Sequence, residues 1–409
     1  MAQKLPECDR EAARLLSLQL KESKTGRRLD AVLAVLFVGV IFLFSALHLL
    51  LPDRDMSETE NRKLTQAPEF SLADLEDGSY TAKIADYLAD QFPGRDFFIT
   101  VKAASEAALG KGENNGVFFA ADGTLVTRDD LPNLTNMRDN LSSMDVFSAW
   151  CAERGIPSLA AITGRTADVL DHTLPSYYGS YYSDRLWAEL EESTAGHRYD
   201  FLNLRDPLRE RAAAGEYVYY RTDHHWTTLG AYYGYAEIAG ALGIEPAPLD
   251  EFDRRVVSLS FLGTTWSTAG ASWIDGDEME FFRYEGDGNF TTTITDDGTT
   301  FAGFYDESYL TVKDKYSAFL SGNHALVTVT ADAPAGEREV LLVVKDSFAH
   351  AAAPFLARHY DLVIVDLRYY KMSVTALVEE YGVDRALYLM NVDSLTASTV
   401  LRMLEAGTK

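Results

Sequence analysis

Val340-Leu341-Leu342-Val343-Val344-Lys345-Asp346-Ser347-Phe348-Ala349-His350 is the stretch on which the fold turns. Five apolar residues in a row are too few for a helix, and three of them are β-branched valines. Such a run reads as a strand buried on both faces. A polar Lys-Asp-Ser turn follows, then a helix over about 349–358. A buried strand that feeds a helix is half of a βαβ unit, and such units build parallel sheets. Downstream the pattern repeats, with strands at Leu362–Val365 and Ala386–Leu389 and helices over about 372–381 and 395–406. Upstream, a helix over 132–155 carries Leu141, Met144, Phe147 and Trp150 on one face. A strand at 157–162, a helix at 184–195, a strand at 199–204 and a helix from Thr228 to Leu242 come next. The expected class is α/β with a mainly parallel sheet.

In an open parallel sheet, ligands bind beyond the carboxyl ends of the strands. Three strands here end in polar groups: Lys345-Asp346-Ser347, Asp366-Leu367-Arg368 and Asn391. Ser347 at a strand-to-helix turn would present its hydroxyl and its N–H to the crevice, where the helix dipole is positive. Taken alone, Ser347 reads as a helix N-cap. Arg368 and Asn391 are placed to donate hydrogen bonds to an oxyanion.

A serine nucleophile needs a base, and the base needs an orienting acceptor. Both occur in Arg221-Thr222-Asp223-His224-His225-Trp226-Thr227-Thr228. In an extended segment alternate side chains share a face, so Asp223 and His225 are expected on one side and His224 on the other. His224 then reads as a packed or supporting histidine, and Trp226 as a packing wall or substrate platform.

Of the 409 residues, 47% are apolar and 24% charged, as in globular proteins, and the net charge is −25. That balance argues against a nucleic-acid partner, which needs clustered Lys and Arg. Residues 1–30 are polar and include Lys21, Lys24, Arg27 and Arg28. Residues 31–51, AVLAVLFVGVIFLFSALHLLL, are long and apolar enough to span a bilayer. The basic cluster before them is expected to stay in the cytoplasm. The run is too long for a signal-peptide core and ends in no A-x-A site. An uncleaved single-pass anchor follows, with membrane lipid around residues 31–51 and the acidic remainder outside. Cys8 and Cys151 then lie on opposite sides of the membrane and cannot pair within the chain.

Residues 52–115 read as a juxtamembrane segment with helices in 72–108, broken at Pro93-Gly94. Residues 116–409 read as the main domain. Asn114-Asn115-Gly116 and Asp122-Gly123 flank Val117-Phe118-Phe119, a hairpin pattern. Within this domain about 253–335 is rich in Thr, Gly and Asp, with alternating runs such as Phe290–Thr295. It reads as an antiparallel β-rich insertion.

Tyr219-Tyr220-Arg221-Thr222-Asp223-His224-His225-Trp226 with Gly230-Ala231-Tyr232 resembles the signature of the DHHW protein family. Val344–His350 with Pro354-Phe355-Leu356, Asp366-Leu367-Arg368-Tyr369-Tyr370, Ser57–Leu64, and Lys313–Tyr316 leading to Gly322-Asn323 resemble its other blocks. The likeness spans about 54–400. This family is similar to the SGNH-hydrolase-like domains of the alginate O-acetylation proteins AlgJ and AlgX, in which an Asp-x-His-Trp motif precedes the serine, a circular permutation of the usual order. The resemblance implies an SGNH-hydrolase-like (flavodoxin-like) sheet and transfers Asp223, His225 and Ser347 as the triad. His224 fills the variable position of that motif, and the oxyanion or substrate-side candidates are Arg368, Asn391, His224, Trp226 and Tyr369. Lys345-Asp346-Ser347-Phe348 replaces the usual Gly-Asp-Ser-Leu block.

It further implies O-acetyl transfer to a polysaccharide acceptor outside the cytoplasm, with acetyl groups supplied by a separate multi-pass membrane acyltransferase and no cofactor. An acetyl esterase of the same fold and a non-catalytic polysaccharide-binding module are the alternatives. A metal-dependent phosphoesterase would need a second Asp/His cluster, and the sequence offers none.

Overall fold

The computed structural model describes residues 11, 24–57, 59–60, 62–128, 131–179, 181–333 and 336–408. They fall into two compact units, one within 1–57 and 62–99, the other within 58–61 and 100–409. Most of the polar lead at 1–30, and Cys8 with it, lies outside the described residues.

In the first unit, helix α1 (Lys24–Leu50) is followed by a short antiparallel pair, β1 (Met56–Ser57) and β2 (Arg62–Lys63). Helices α2 (Leu72–Glu76), α3 (Ser79–Asp90) and the start of α4 (Arg95–Ala108) complete it. Ser71 caps α2 by accepting the Asp74 N–H at 3.3 Å. Pro93 and Gly94 separate α3 from α4, and Gly94 sits at φ 74°, where other residues are strained. Within α1, Arg28–Leu50 is the one helical stretch among the described residues long and apolar enough to cross a membrane.

The second unit opens with an antiparallel meander, β3 (Glu113–Asn114), β4 (Val117–Phe119) and β5 (Leu125–Thr127). Helix α5 (Leu134–Ala152), β6 (Ser158–Thr163), α6 (Thr166–Val169), α7 (Tyr181–Thr194), β7 (Asp200–Asn203) and α8 (Arg205–Ala213) follow. After a loop containing Asp223–Trp226 come α9 (Thr228–Leu242), β8 (Asp253–Phe261), α10 (Thr264–Ala269) and β9 (Asp277–Arg283). Strands β10 (Phe290–Ile294), β11 (Thr300–Ala302), β12 (Leu326–Ala331) and β13 (Val340–Lys345) lead to α11 (Ala349–Leu356). The chain ends with β14 (Asp361–Val365), α12 (Val374–Tyr381), β15 (Arg385–Asn391) and α13 (Val392–Ala397).

Eight strands form one sheet in the order β11–β10–β12–β14–β13–β15–β6–β7. The five from β14 to β7 are parallel, and the first three join antiparallel at one edge. Counted from β13, the parallel part reads second, first, third, fourth, fifth. That is the flavodoxin-like order, and the chain enters it at the fourth position. The topology is therefore circularly permuted, and its switch point lies between β13 and β15.

Side chains of the parallel strands alternate between two cores. Leu341, Val343, Leu387 and Leu389 pack with α9 and α11, whereas Leu342, Val344, Tyr388 and Met390 pack with α5, α7 and α12. Burial on both faces is why these strands are nearly continuous apolar runs. Two local expectations change. The antiparallel stretch 253–335 divides: β8 and β9 pair as a separate ribbon, while β10, β11 and β12 extend the main sheet. The helix expected over 395–406 breaks at Ser398, whose backbone is extended (φ −153°, ψ 172°), into α13 and a 3-10 turn at Val400–Glu405.

Asp287, just before β10, is only 8% exposed, and neither carboxylate oxygen has a hydrogen-bond partner among the described residues. Burial pushes its carboxyl up to about 6, against the pull of the Tyr284 backbone and of the Arg283 and Arg358 charges. A carboxyl raised on folding costs stability that appears as pH climbs from the unfolded to the folded pKa and persists above both. Asp287→Asn is therefore expected to stabilise the protein by about 2 kcal/mol at pH 7.5 and by almost nothing at pH 4. Urea unfolding at the two pH values measures the difference; an equal effect at both would show that ionisation is not the cause.

Candidate active site

Ser347 lies at the carboxyl end of β13, beside the switch point, and is half-buried in an otherwise buried run. The turn that carries it is held from within. Asp346 accepts the Phe348 N–H at 2.9 Å, the Asn391 N–H at 2.7 Å and the Ser394 hydroxyl at 2.6 Å. One carboxylate thus ties the end of β13 to the end of β15. Burial raises the Asp346 carboxyl above its ordinary value, and these hydrogen bonds oppose the rise. The adjacent Lys345 is also buried, donating to His350 Nε2 at 2.6 Å and Asp366 Oδ2 at 3.1 Å. Burial, then the Lys345 charge, push the His350 imidazole well below its usual range, so it is a neutral acceptor for the ammonium.

The loop before α9 brings the other groups. Asp277 fastens it by accepting the Arg221 N–H (3.1 Å), the Thr222 N–H (2.8 Å), the Thr222 hydroxyl (2.6 Å) and the Tyr217 hydroxyl (2.5 Å). Strand β5 adds Leu125 N–H to the Arg221 carbonyl at 2.8 Å. Thr227 caps α9, its hydroxyl accepting the Gly230 N–H at 3.1 Å. Trp226 is fully buried, and its indole N–H donates to the Phe348 carbonyl at 2.9 Å. That bond joins the histidine loop to the serine turn. Trp226 is thus the packing wall and not a substrate platform, because no ligand can reach a ring with no exposed surface.

Between these segments a continuous relay forms. His225 Nε2 is 2.6 Å from Ser347 Oγ, and His225 Nδ1 is 2.6 Å from Asp223 Oδ1. Asp223 Oδ1 also accepts the His225 backbone N–H at 3.0 Å. Its Oδ2 accepts the Thr264 N–H at 2.8 Å and the Thr264 hydroxyl at 3.1 Å. Burial alone would raise the Asp223 carboxyl, but the charges of His224 and His225 and the bonds from His225 and Thr264 outweigh it and hold it well below the carboxylate range. The carboxylate is ionised and requires the His225 proton on Nδ1, which leaves Nε2 as the acceptor for the serine proton. Tyr316 stacks flat on the His225 ring at 3.8 Å and fixes its plane.

His224 is not on the opposite side. Residues 221–225 form a series of bends, so strand alternation does not apply. Its ring lies 3.9 Å from that of His225, and its Nδ1 is 2.8 Å from Thr264 Oγ1. A threonine hydroxyl has one hydrogen. When Thr264 gives it to Asp223, the oxygen accepts from His224 Nδ1–H, and His224 Nε2 is left as a bare acceptor. Desolvation, then the His225 charge, lower the His224 imidazole to about 4. Since its side chain is still 47% exposed, water moderates that shift, but the direction keeps the ring neutral. His224 lines a cavity of about 420 Å³, whose wall includes Thr127, Arg165, Thr166, Asn391 and Asp393.

Asn391 and Arg368 are committed elsewhere. The Asn391 amide donates to Gly164 O at 2.7 Å and Thr163 Oγ1 at 3.3 Å, and its oxygen caps α13. Arg368 donates to both oxygens of Asp366, at 2.9 and 2.6 Å, and to Asn323 at 3.2 Å. Neither arrangement matches the expected oxyanion donor: the strand ends hold these side chains in bonds to protein groups. Tyr369 is half-exposed with the Arg368 guanidinium 5.6 Å from its ring.

Thr264, Gly263 and Asp346 escaped sequence reading as site residues, although Asp346 adjoins the serine and Gly263-Thr264 opens a helix. A Cβ on Gly263 would lie 2.2 Å from Asp223 Cβ and Oδ2. Gly263→Ala is therefore expected to displace the carboxylate and slow labelling of Ser347 by a fluorophosphonate about 100-fold. An unaltered labelling rate would show that the loop relaxes without moving Asp223.

Comparison with known proteins places the fold. Residues 206–366 match the family described as DHHW protein, and residues 112–269 match that described as SGNH hydrolase-like domain, acetyltransferase AlgX. No curated protein matches the chain. The crystal structure of a DHHW family protein from Eubacterium siraeum superposes with a TM-score of 0.61 at 18% identity, over 71% of this chain and 95% of that one. Bacillus cereus PatB1 with a sulfonyl adduct gives 0.58 at 17% identity, over 69% and 96%. The O-acetyltransferase domain of Pseudomonas putida AlgJ aligns more loosely, at 0.45 and 15% identity over 69% and 92%. The fold is thus SGNH-like, and the stretch 112–269 is the part that matches a family described as an acetyltransferase.

Proposed function

We propose that the chain is a membrane-anchored serine O-acetyltransferase acting on a polysaccharide outside the cytoplasm. The observation that carries this reading is His225 bridging Asp223 and Ser347 at 2.6 Å on each side. His225 takes the hydroxyl proton as Ser347 Oγ attacks an acetyl carbonyl, and the imidazolium is held by Asp223. The Ser347 N–H steadies the oxyanion at the positive end of α11. The leaving group departs with the proton from His225, leaving an acetyl-serine. A sugar hydroxyl, deprotonated by His225, then attacks the acetyl carbonyl; the Ser347 Oγ–acyl bond breaks, and Oγ takes the proton back from His225 as the acetylated sugar leaves. Water in its place gives hydrolysis.

The cavity beside His224 suits the acceptor, because His224 Nε2 can take a hydrogen bond from a hydroxyl. The net charge of −25 disfavours a strongly anionic polymer and favours a neutral or weakly charged one. In this reading residues 1–30 are cytoplasmic, 31–51 cross the membrane, 52–115 link and 116–409 catalyse. An exported enzyme has no cytoplasmic acetyl-CoA, so a multi-pass membrane acyltransferase supplies acetyl groups. The test is purified protein with a chromogenic acetyl ester and a panel of oligosaccharides, together with fluorophosphonate labelling. Acetylated sugar and label on Ser347 are expected. Ester turnover without sugar product makes the protein an esterase; no turnover and no label leave a binding module.

A further inference from the structure

We propose that the corner between α3 and α4 is a wedge inserted into the outer half of the bilayer, covered by lipid acyl chains. The inference rests on the membrane-spanning reading of α1 and concerns the first unit alone. Its basis is the contact of that corner with α1 itself. The ring of Phe92 stacks on Phe44 with centroids 5.0 Å apart, and the ring of Phe98 meets Phe44 edge-on at 5.8 Å. One turn nearer the end of the helix, Tyr87 meets His48 at 5.4 Å. Helix α3 therefore runs antiparallel to the last turns of α1, descending as α1 rises.

These contacts set a depth. Phe44 precedes Leu51, the end of the apolar run, by seven residues, or about 10 Å of helix. The hydrocarbon core is about 30 Å thick and the run fills it. Phe44 thus lies well inside the hydrocarbon boundary, and rings stacked on it share that depth. Phe97 completes the cluster against Phe98 at 5.5 Å and is itself 65% exposed. Leu88, Phe92 and Phe98 are also exposed large apolar side chains, in a chain whose second unit buries most of its aromatics. In water that patch would be a liability; in acyl chains it is at home.

The acids flanking the corner carry counter-charges. Asp96 pairs with Arg54 at 2.9 Å, and Asp90 with Arg62 at 2.5 Å. The Tyr87 hydroxyl donates to Asp53 at 3.0 Å, just beyond the end of the span, where tyrosine sits at a membrane–water boundary. A corner so built fixes the linker to the bilayer and gives the chain a second hold beside its span.

The test uses the full chain in phosphatidylcholine vesicles, with and without bromine on the acyl chains. Phe97→Trp adds one indole at an exposed position, and Leu43→Trp adds one in the span; the signal of the parent, with its five tryptophans, is subtracted. Both added signals are expected to fall markedly in brominated lipid, because both indoles would lie within the hydrocarbon zone. Quenching for Leu43→Trp without quenching for Phe97→Trp overturns the wedge and leaves the span intact. Quenching for neither removes the span, and the wedge falls with it. The proposed Ser347 chemistry is untouched by any of these outcomes; only the membrane anchoring falls if the span does.

Discussion

Ser347→Ala is expected to lower acetyl-ester turnover by about 10⁴ to 10⁶, the loss that serine enzymes with such a relay show when the nucleophile is deleted. The fold should survive. The Ser347 hydroxyl bonds to His225 Nε2 and to no structural group, whereas the turn is held by Asp346, by the Phe348 N–H and by the Trp226 indole on the Phe348 carbonyl. Loss of one half-buried hydroxyl contact costs about 1 kcal/mol. Thermal melting should therefore shift by only a few degrees while the fluorophosphonate label disappears. Retention of more than about a hundredth of the activity would place the nucleophile elsewhere, since the oxyanion site and binding alone give far less.

Asp223→Asn should cost about 10⁴ in kcat with the substrate KM little altered. The amide has nearly the volume of the carboxylate but only one acceptor oxygen. Either it accepts from His225 Nδ1 and turns its NH₂ group against the Thr264 N–H, or it does the reverse. In the second case His225 shifts its proton to Nε2 and can no longer take one from Ser347. Stability is also lost, and the loss has a pH signature. The folded carboxyl titrates well below its ordinary value, so its contribution is fully present above about pH 4, the unfolded value, and fades as pH falls below that. Destabilisation by Asp223→Asn should thus be largest near neutrality and shrink in acid. An effect independent of pH would mean that the carboxylate's charge is not what the loop relies on.

Parts of this design are legible along the chain. The run 340–344 announces a two-sided buried strand because both faces of β13 meet apolar partners, and the same holds for β14 and β15. Pro93-Gly94 announces the break between α3 and α4, since one residue lacks an N–H and the other adopts positive φ. Local spacing fails where the backbone leaves regular structure. His224 looked opposed to His225 because alternation assumes an extended strand, and the loop is bent. The side chains of Arg368 and Asn391 looked free at strand ends because their partners, Asp366 and the Gly164 carbonyl, are local or distant in ways that spacing does not show.

The sequence by itself determined the parallel strands and most of the helices between them, that one helix near the start is apolar throughout, and that an acid, an imidazole and a hydroxyl occur on two short polar stretches. Those are properties of neighbouring residues, decided by periodicity and by the burial of side chains within a few positions. Only the tertiary structure decided that β13 lies between β14 and β15, that the sheet is entered at its fourth strand, and that His225 and Ser347, 122 positions apart, meet at 2.6 Å. It also decided that Thr264 and Gly263 serve the same carboxylate from a third segment. The physical reason is that strand order and side-chain contacts come from packing two faces of one sheet at once. That packing is a property of the whole chain, and no window along it contains the answer.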